Sequence, residues 1–103
     1  MLPGRLKGMK FADHCRESIE KMGKPFAEVH EWLDAFAGTR DCGMRHRRKR
    51  HHLRGIEEVR NLWGNDAAEA ARLHIMADLR EEGWRETDGI PMDEEEYVRR
   101  GLY

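Results

Sequence analysis

Glycine stands at nearly every point where a helical pattern in this chain runs out, and this punctuation limits the fold more than any other feature. Phe11, Cys15, Ile19 and Met22 follow a helical stripe that stops at Gly23, a natural C′ position. Pro25 suits a first helical residue and opens a second stripe of Phe26, Val29, Leu33 and Phe36, closed by Gly38. Asp41 is a fair N-cap for a long third helix reaching Trp63, with Gly64 behind it. Asn65 or Asp66 caps a fourth, which places Ala67, Ala71, Ile75 and Leu79 on one face and stops at Gly83. After the turn-prone residues 87–91, Asp93 and Glu96 resemble a capping box that starts a short helix through Tyr97 and Val98. No segment alternates with the period of a strand. The predicted class is all-α, a compact bundle of four main helices plus a short C-terminal helix. One domain spans 1–103, with 1–9 as a flexible N-terminal arm. Its predicted core adds Leu53, Ile56, Val59 and Trp63 from the third helix to Phe11, Cys15, Ile19, Phe26, Val29, Leu33, Phe36, Ala71, Ile75 and Leu79.

In 103 residues, 39% are hydrophobic and 38% charged. So thin a core under a charged shell leaves room for stabilisation by a bound ion, a protein partner or a second copy of the chain. The formal charge of -1 excludes any global pull toward nucleic acid. Charge is unevenly spread, however: the stretch 45–54 is cationic, and 78–96 is rich in Asp and Glu. Cys15 and Cys42 form no CxxC pair, which fits a reducing compartment. No secretory signal and no membrane-length apolar run is visible, so a cytoplasmic protein is expected.

The cationic stretch carries three of the six histidines, His46, His51 and His52. On a continuous helix, His52, Ile56, Val59 and Trp63 form one stripe, so His52 points inward. Arg45, Arg48 and Lys49 prolong that face, while Arg47, Arg50 and Arg54 fall on the solvent side. His46 and His51 lie at the edges of the arc and are expected to be solvated.

The fourth predicted helix carries the sharpest chemical signal. His74 and Asp78 are four residues apart and share a face, about 5–6 Å between Cβ atoms. The small residues Ala67 and Ala71 on that face let another helix approach. His30 borders the second stripe and His14 flanks the first. Helical bundles build metal sites this way, from imidazoles and carboxylates on facing helices. The expected ligands are His74, Asp78, His52, His30 and His14, for a divalent transition metal: zinc, iron, manganese or nickel. An ion with an open position favours metal-assisted phosphoester hydrolysis, with Arg45 or Arg48 holding the anion. The sequence does not decide between an enzyme and a non-enzymatic accessory protein. In the second case the helix 45–54 would contact nucleic acid through Arg45, Arg47, Arg48, Arg50 and Arg54, or occupy a host defence protein as a phage-type inhibitor.

These same residues resemble a family of small, histidine-rich bacterial and phage proteins of unknown function. The resemblance rests on His14, His30-Glu-Trp-Leu-Asp34, Arg45-His-Arg47, Arg50-His-His-Leu-Arg-Gly-Ile56, His74 with Asp78, and Gly89-Ile-Pro91. It covers roughly 11–91 and implies that the histidines act as one constellation. A looser similarity runs to the metal-dependent phosphohydrolases named for a His-Asp doublet, where this chain has His51-His52.

Overall fold

A computed structural model describes residues 10–103. The N-terminal arm expected over 1–9 lies outside the described residues. Among the described residues the helices are α1 (Phe11–Met22), α2 (Ala27–Leu33), α3 (Arg47–Arg50), α4 (Leu53–Trp63), α5 (Asn65–Arg80) and α6 (Glu94–Arg99), with a 3-10 turn at Glu86–Asp88. The fold is all-α, as read from the glycine pattern, and four of these helices have seven residues or more. Among the described residues, no helix is long and apolar enough to cross a membrane.

α5 is the axis of the molecule. Ala67, Ala71, Ile75 and Leu79 are buried along it as predicted, together with Ala68, Ala70 and Met76. Its small residues let α4 lie close, with Ile56 and Val59 against them, while α2 contributes Val29 and Leu33. Trp84 and Tyr97, which the sequence stripes did not include, complete the core. The Trp84 indole donates to Gly89 O at 2.8 Å, which gives its polar edge a partner. Asp93 caps α6 by accepting from Glu96 N at 3.0 Å, and the Glu96 carboxylate accepts from Met92 N at 2.7 Å. The expected cap is therefore present, with its return bond made one residue earlier than in a standard box.

Three expectations are overturned. α1 does not bury its apolar stripe: Phe11 is 45% and Ile19 50% exposed, whereas His14 and Ser18 are buried. Cys15 and Met22 are half-buried. The helix is turned so that Ser18 meets His30 of α2 at 2.8 Å and His14 stacks on His74 of α5 with ring centroids 3.6 Å apart. Leu53 and Trp63, also expected in the core, are 42% and 40% exposed.

The long third helix does not form either. Residues 34–46 run through turns, α3 has a single turn, and the chain breaks at His51-His52 before α4. His51 has φ -88° and ψ 63°. His52 N donates to Arg50 O at 3.0 Å, so His51 is the centre of an inverse γ-turn. His52 is then extended and caps α4, its Nδ1 accepting from Gly55 N at 3.1 Å. A Cβ on Gly55 would lie 2.0 Å from Arg50 O, so only glycine lets the end of α3 press on the start of α4. The first amides of α4, Leu53 N and Arg54 N, donate to Pro91 O at 2.9 Å and Met92 O at 3.0 Å. The segment before α6 thus straps the break.

Candidate metal centre

His14 and Ser18 come from α1, His30 from α2 and Asp34 from the residue that ends α2. The γ-turn supplies His51, and one face of α5 supplies His74 and Asp78. All these histidines and Asp78 are buried, while the Asp34 side chain keeps 32% of its exposure.

The ring nitrogens and carboxylate oxygens face one another at short range. His51 Nε2 is 2.9 Å from Asp78 Oδ2 and 3.4 Å from Asp34 Oδ1. His74 Nε2 is 3.2 Å from Asp78 Oδ2 and 3.5 Å from Asp34 Oδ1. His14 Nε2 is 3.3 Å from Asp78 Oδ1. Donors about 2.1 Å from one ion stand roughly 3.0–3.4 Å apart at octahedral to tetrahedral angles, so these separations fit shared coordination. One ligand atom each from Asp34, His51, His74 and Asp78 lies within 4.8 Å of the others. The same holds for one nitrogen each of His14, His30 and His74.

These distances also fit ion pairs within the cluster, and His51 Nε2 is hydrogen-bonded to Asp78 Oδ2. His14 Nε2, His74 Nε2 and Asp78 Oδ1 are buried and make no hydrogen bond among the described residues. A buried polar atom without a partner is costly, and a cluster of them calls for an explanation. Here the atoms lie beside oppositely charged groups but are not aligned to share a proton with them.

The electrostatics keep both carboxylates ionised. Burial works against ionisation of Asp78, but His14, His51 and His74 beside it hold its carboxyl well below the usual range. Asp34 is likewise lowered against its burial, by His46 and His74. Burial drives His51 down to about 4 despite its bond with Asp78, so at neutral pH its ring is uncharged and offers a lone pair. His74 is raised: its burial is outweighed by contacts with Asp34 and Asp78. Arg47 adds charge from outside, its guanidinium 3.5 Å from Asp78 Oδ1, 3.2 Å from Glu81 and 3.7 Å from Glu82.

Of the residues singled out from sequence, His14, His30, His74 and Asp78 are brought together. His52 is not: its Nδ1 caps α4 and its Nε2 donates to Lys49 O at 3.0 Å, which occupies both nitrogens. His46 and His51, expected in solvent, are both buried, and His46 Nε2 donates to Asp34 Oδ1 at 3.1 Å. Among the arginines, Arg47 faces the carboxylates above rather than open solvent. Arg48 Nη1 donates to Glu94 at 2.7 Å. Arg50 lies 3.8 Å over the Trp32 ring and donates to Trp32 O. Arg45 donates to Leu102 O and covers Tyr103. Arg54 is exposed.

Sequence reasoning missed Asp34 and His51. Asp34 had a signal: His30 and Asp34 repeat the four-residue spacing of His74 and Asp78. His51 had only the family resemblance, because a γ-turn at a histidine breaks the helical wheel on which its direction was judged.

The structure defines an all-α domain with a buried histidine–aspartate cluster of a geometry able to bind a metal. Residues 9–89 match the model of Domain of unknown function (DUF6915), and the chain belongs to that family. The match takes in every residue of the cluster and ends before α6. No curated protein and no solved structure matches the chain.

Proposed function

We propose that this domain binds one divalent transition-metal ion through Asp34, His51, His74 and Asp78, with His14 as a further donor. The observation that carries the reading is the group Asp34, His51, His74 and Asp78, whose ligand atoms lie within 4.8 Å of one another, with His74 Nε2 buried and without a hydrogen bond among them. A cation there gives His74 Nε2 a partner, and His14 Nε2 lies 3.3 Å from the second Asp78 oxygen. Mixed imidazole and carboxylate donors suit zinc, iron, manganese or nickel, and neither cysteine belongs to the group.

Elemental analysis and calorimetric titration of tag-free protein with Zn²⁺, Mn²⁺, Ni²⁺ and Fe²⁺ test this directly. One ion per chain is expected, lost in a His74→Ala/Asp78→Ala double variant. Asp34→Asn, at the most exposed donor, should fold normally and bind more weakly, which separates lost affinity from lost structure. Protein that takes up none of the four ions, with a melting temperature indifferent to chelator, overturns the reading.

Metal-assisted hydrolysis belongs to the same proposal, supported by Asp34: its partly exposed carboxylate gives solvent access to an otherwise buried cluster. An ion held there supplies Lewis acidity and lowers the pKa of bound water. The assay is cleavage of an activated phosphoester by the metal-loaded protein, abolished in the double variant. Absence of turnover with an ion bound removes hydrolysis and leaves a metal-binding domain.

A further inference from the structure

His30 touches His74 edge to edge. Their Nδ1 atoms are 2.9 Å apart, with ring centroids separated by 5.1 Å and planes inclined by only 20°. His14, by contrast, lies flat on His74 at 3.6 Å. On its other side, His30 Nε2 is 2.8 Å from Ser18 Oγ. His30, His74 and Ser18 are all buried. Both nitrogens of His30 are therefore engaged, whereas both nitrogens of His14 have no partner.

We propose that His30 and Ser18 form an outer relay that positions His74, rather than His30 serving as a ligand. This rests on the metal reading above and assigns the three-histidine group a role within it.

Two nitrogens facing each other at 2.9 Å share one proton, so one donates and the other accepts. His74 coordinates through Nε2 only if its proton is on Nδ1, and that proton then points at His30 Nδ1. His30 accepts there, so its own proton sits on Nε2 and is donated to Ser18 Oγ. Each group in the line from Ser18 through His30 to His74 then has a defined role, and the His74 ring is held in plane by the bond. Metal-bound histidines commonly donate their second nitrogen to an orienting acceptor, and losing that acceptor weakens binding by about 10–100-fold. His14 and Ser18 lie one turn apart on α1, so one helix face carries both a candidate donor and the end of the relay.

Nitrogen-15 NMR of the imidazoles in Zn²⁺-loaded protein reads the tautomers. The expected result is His74 protonated at Nδ1, and His30 protonated at Nε2 with a bare Nδ1. His30 protonated at Nδ1, or shifted by a bound metal, overturns the relay. Titration with Zn²⁺ gives the second readout. His30→Leu and Ser18→Ala should each bind one ion about 10–100-fold more weakly, while His30→Asn and Ser18→Thr, which keep an acceptor, should recover much of the loss. Unchanged affinity in both deletion variants overturns the proposal, as does a drop from two ions to one in His30→Leu. If wild-type protein binds no Zn²⁺, the metal reading fails by itself. The His30 tautomer in ion-free protein then still decides the relay: Nε2–H supports it and Nδ1–H refutes it.

Discussion

His51 reaches the cluster through backbone geometry, not helical phase. A γ-turn turns its ring into the interior, where Asp78 Oδ2 meets Nε2 at 2.9 Å. Burial keeps both His51 and His30 uncharged, pushed down to about 4. In the unfolded chain each would titrate near about 6.5. Between those values the unfolded state binds more protons, so this stability is complete above about pH 6.5 and is lost as pH falls toward 4. Asp34 and Asp78, held below the usual carboxylate range, add a further loss as the solution becomes more acidic. His74 acts oppositely: its raised pKa contributes stability below its unfolded value that is lost as pH rises through the folded one. His52 is also lowered by burial, and three imidazoles against one leave acid as the destabilising direction. Urea midpoints of ion-free protein should therefore fall steadily from pH 7 to pH 4.5, and a midpoint that rises on acidification contradicts two buried neutral imidazoles.

At the scale of elements, the join between α3 and α4 carries the most information. Gly55 sits where a Cβ would meet the Arg50 carbonyl, so Gly55→Ala should destabilise by about 3 kcal/mol, the upper end for overpacking. Removing the Asp93 cap should cost about 1 kcal/mol. Denaturant titration of the two variants should rank them in that order; equal effects would mean that the join can relax. The same elements show what a sequence reveals. α5 was legible because Ala67, Ala71, Ile75 and Leu79 repeat at helical spacing on a helix that packs by that stripe. The α6 cap was legible because Asp and Glu at that spacing have one common use. The orientation of α1 was not, because a helical wheel weighs Phe11 and Ile19 by apolarity and gives no weight to a partner for His14 or Ser18. Nor was the break at His51-His52, which contains neither proline nor glycine. Its cause is a histidine acting as N-cap and a glycine four residues after the γ-turn centre, both needed only once α4 leans on α3.

Across the whole molecule, the cluster draws on four separated stretches of chain, around positions 14, 34, 51 and 74–78. The histidine–aspartate pair on α5 could be read directly, since i, i+4 spacing fixes a shared face without tertiary knowledge. Which other groups meet it depends on long-range packing, and that is why Asp34 and His51 were missed while His52 was included. An ion bound across four elements should stabilise all of them together. At an ion concentration about 100-fold above Kd the gain is about 2.7 kcal/mol, or roughly 10–20 °C in melting temperature for a domain of this size. Scanning calorimetry with and without the ion, then with chelator, should show that rise and its reversal.

The strap across the α3–α4 break has a consequence for how the interior opens. The amides of Leu53 and Arg54 lie in the first turn of α4, where helix geometry offers no acceptor and exchange with solvent is ordinarily fast. Here the carbonyls of Pro91 and Met92 hold them, from a segment beyond the stretch that matches the family. Their exchange rates thus follow detachment of that segment rather than fraying of the helix. Deuterium uptake at these two positions should be slow, and it should quicken together with the amide of His52, which closes the γ-turn at His51. These three protons are a native clock for the event that frees the His51 ring.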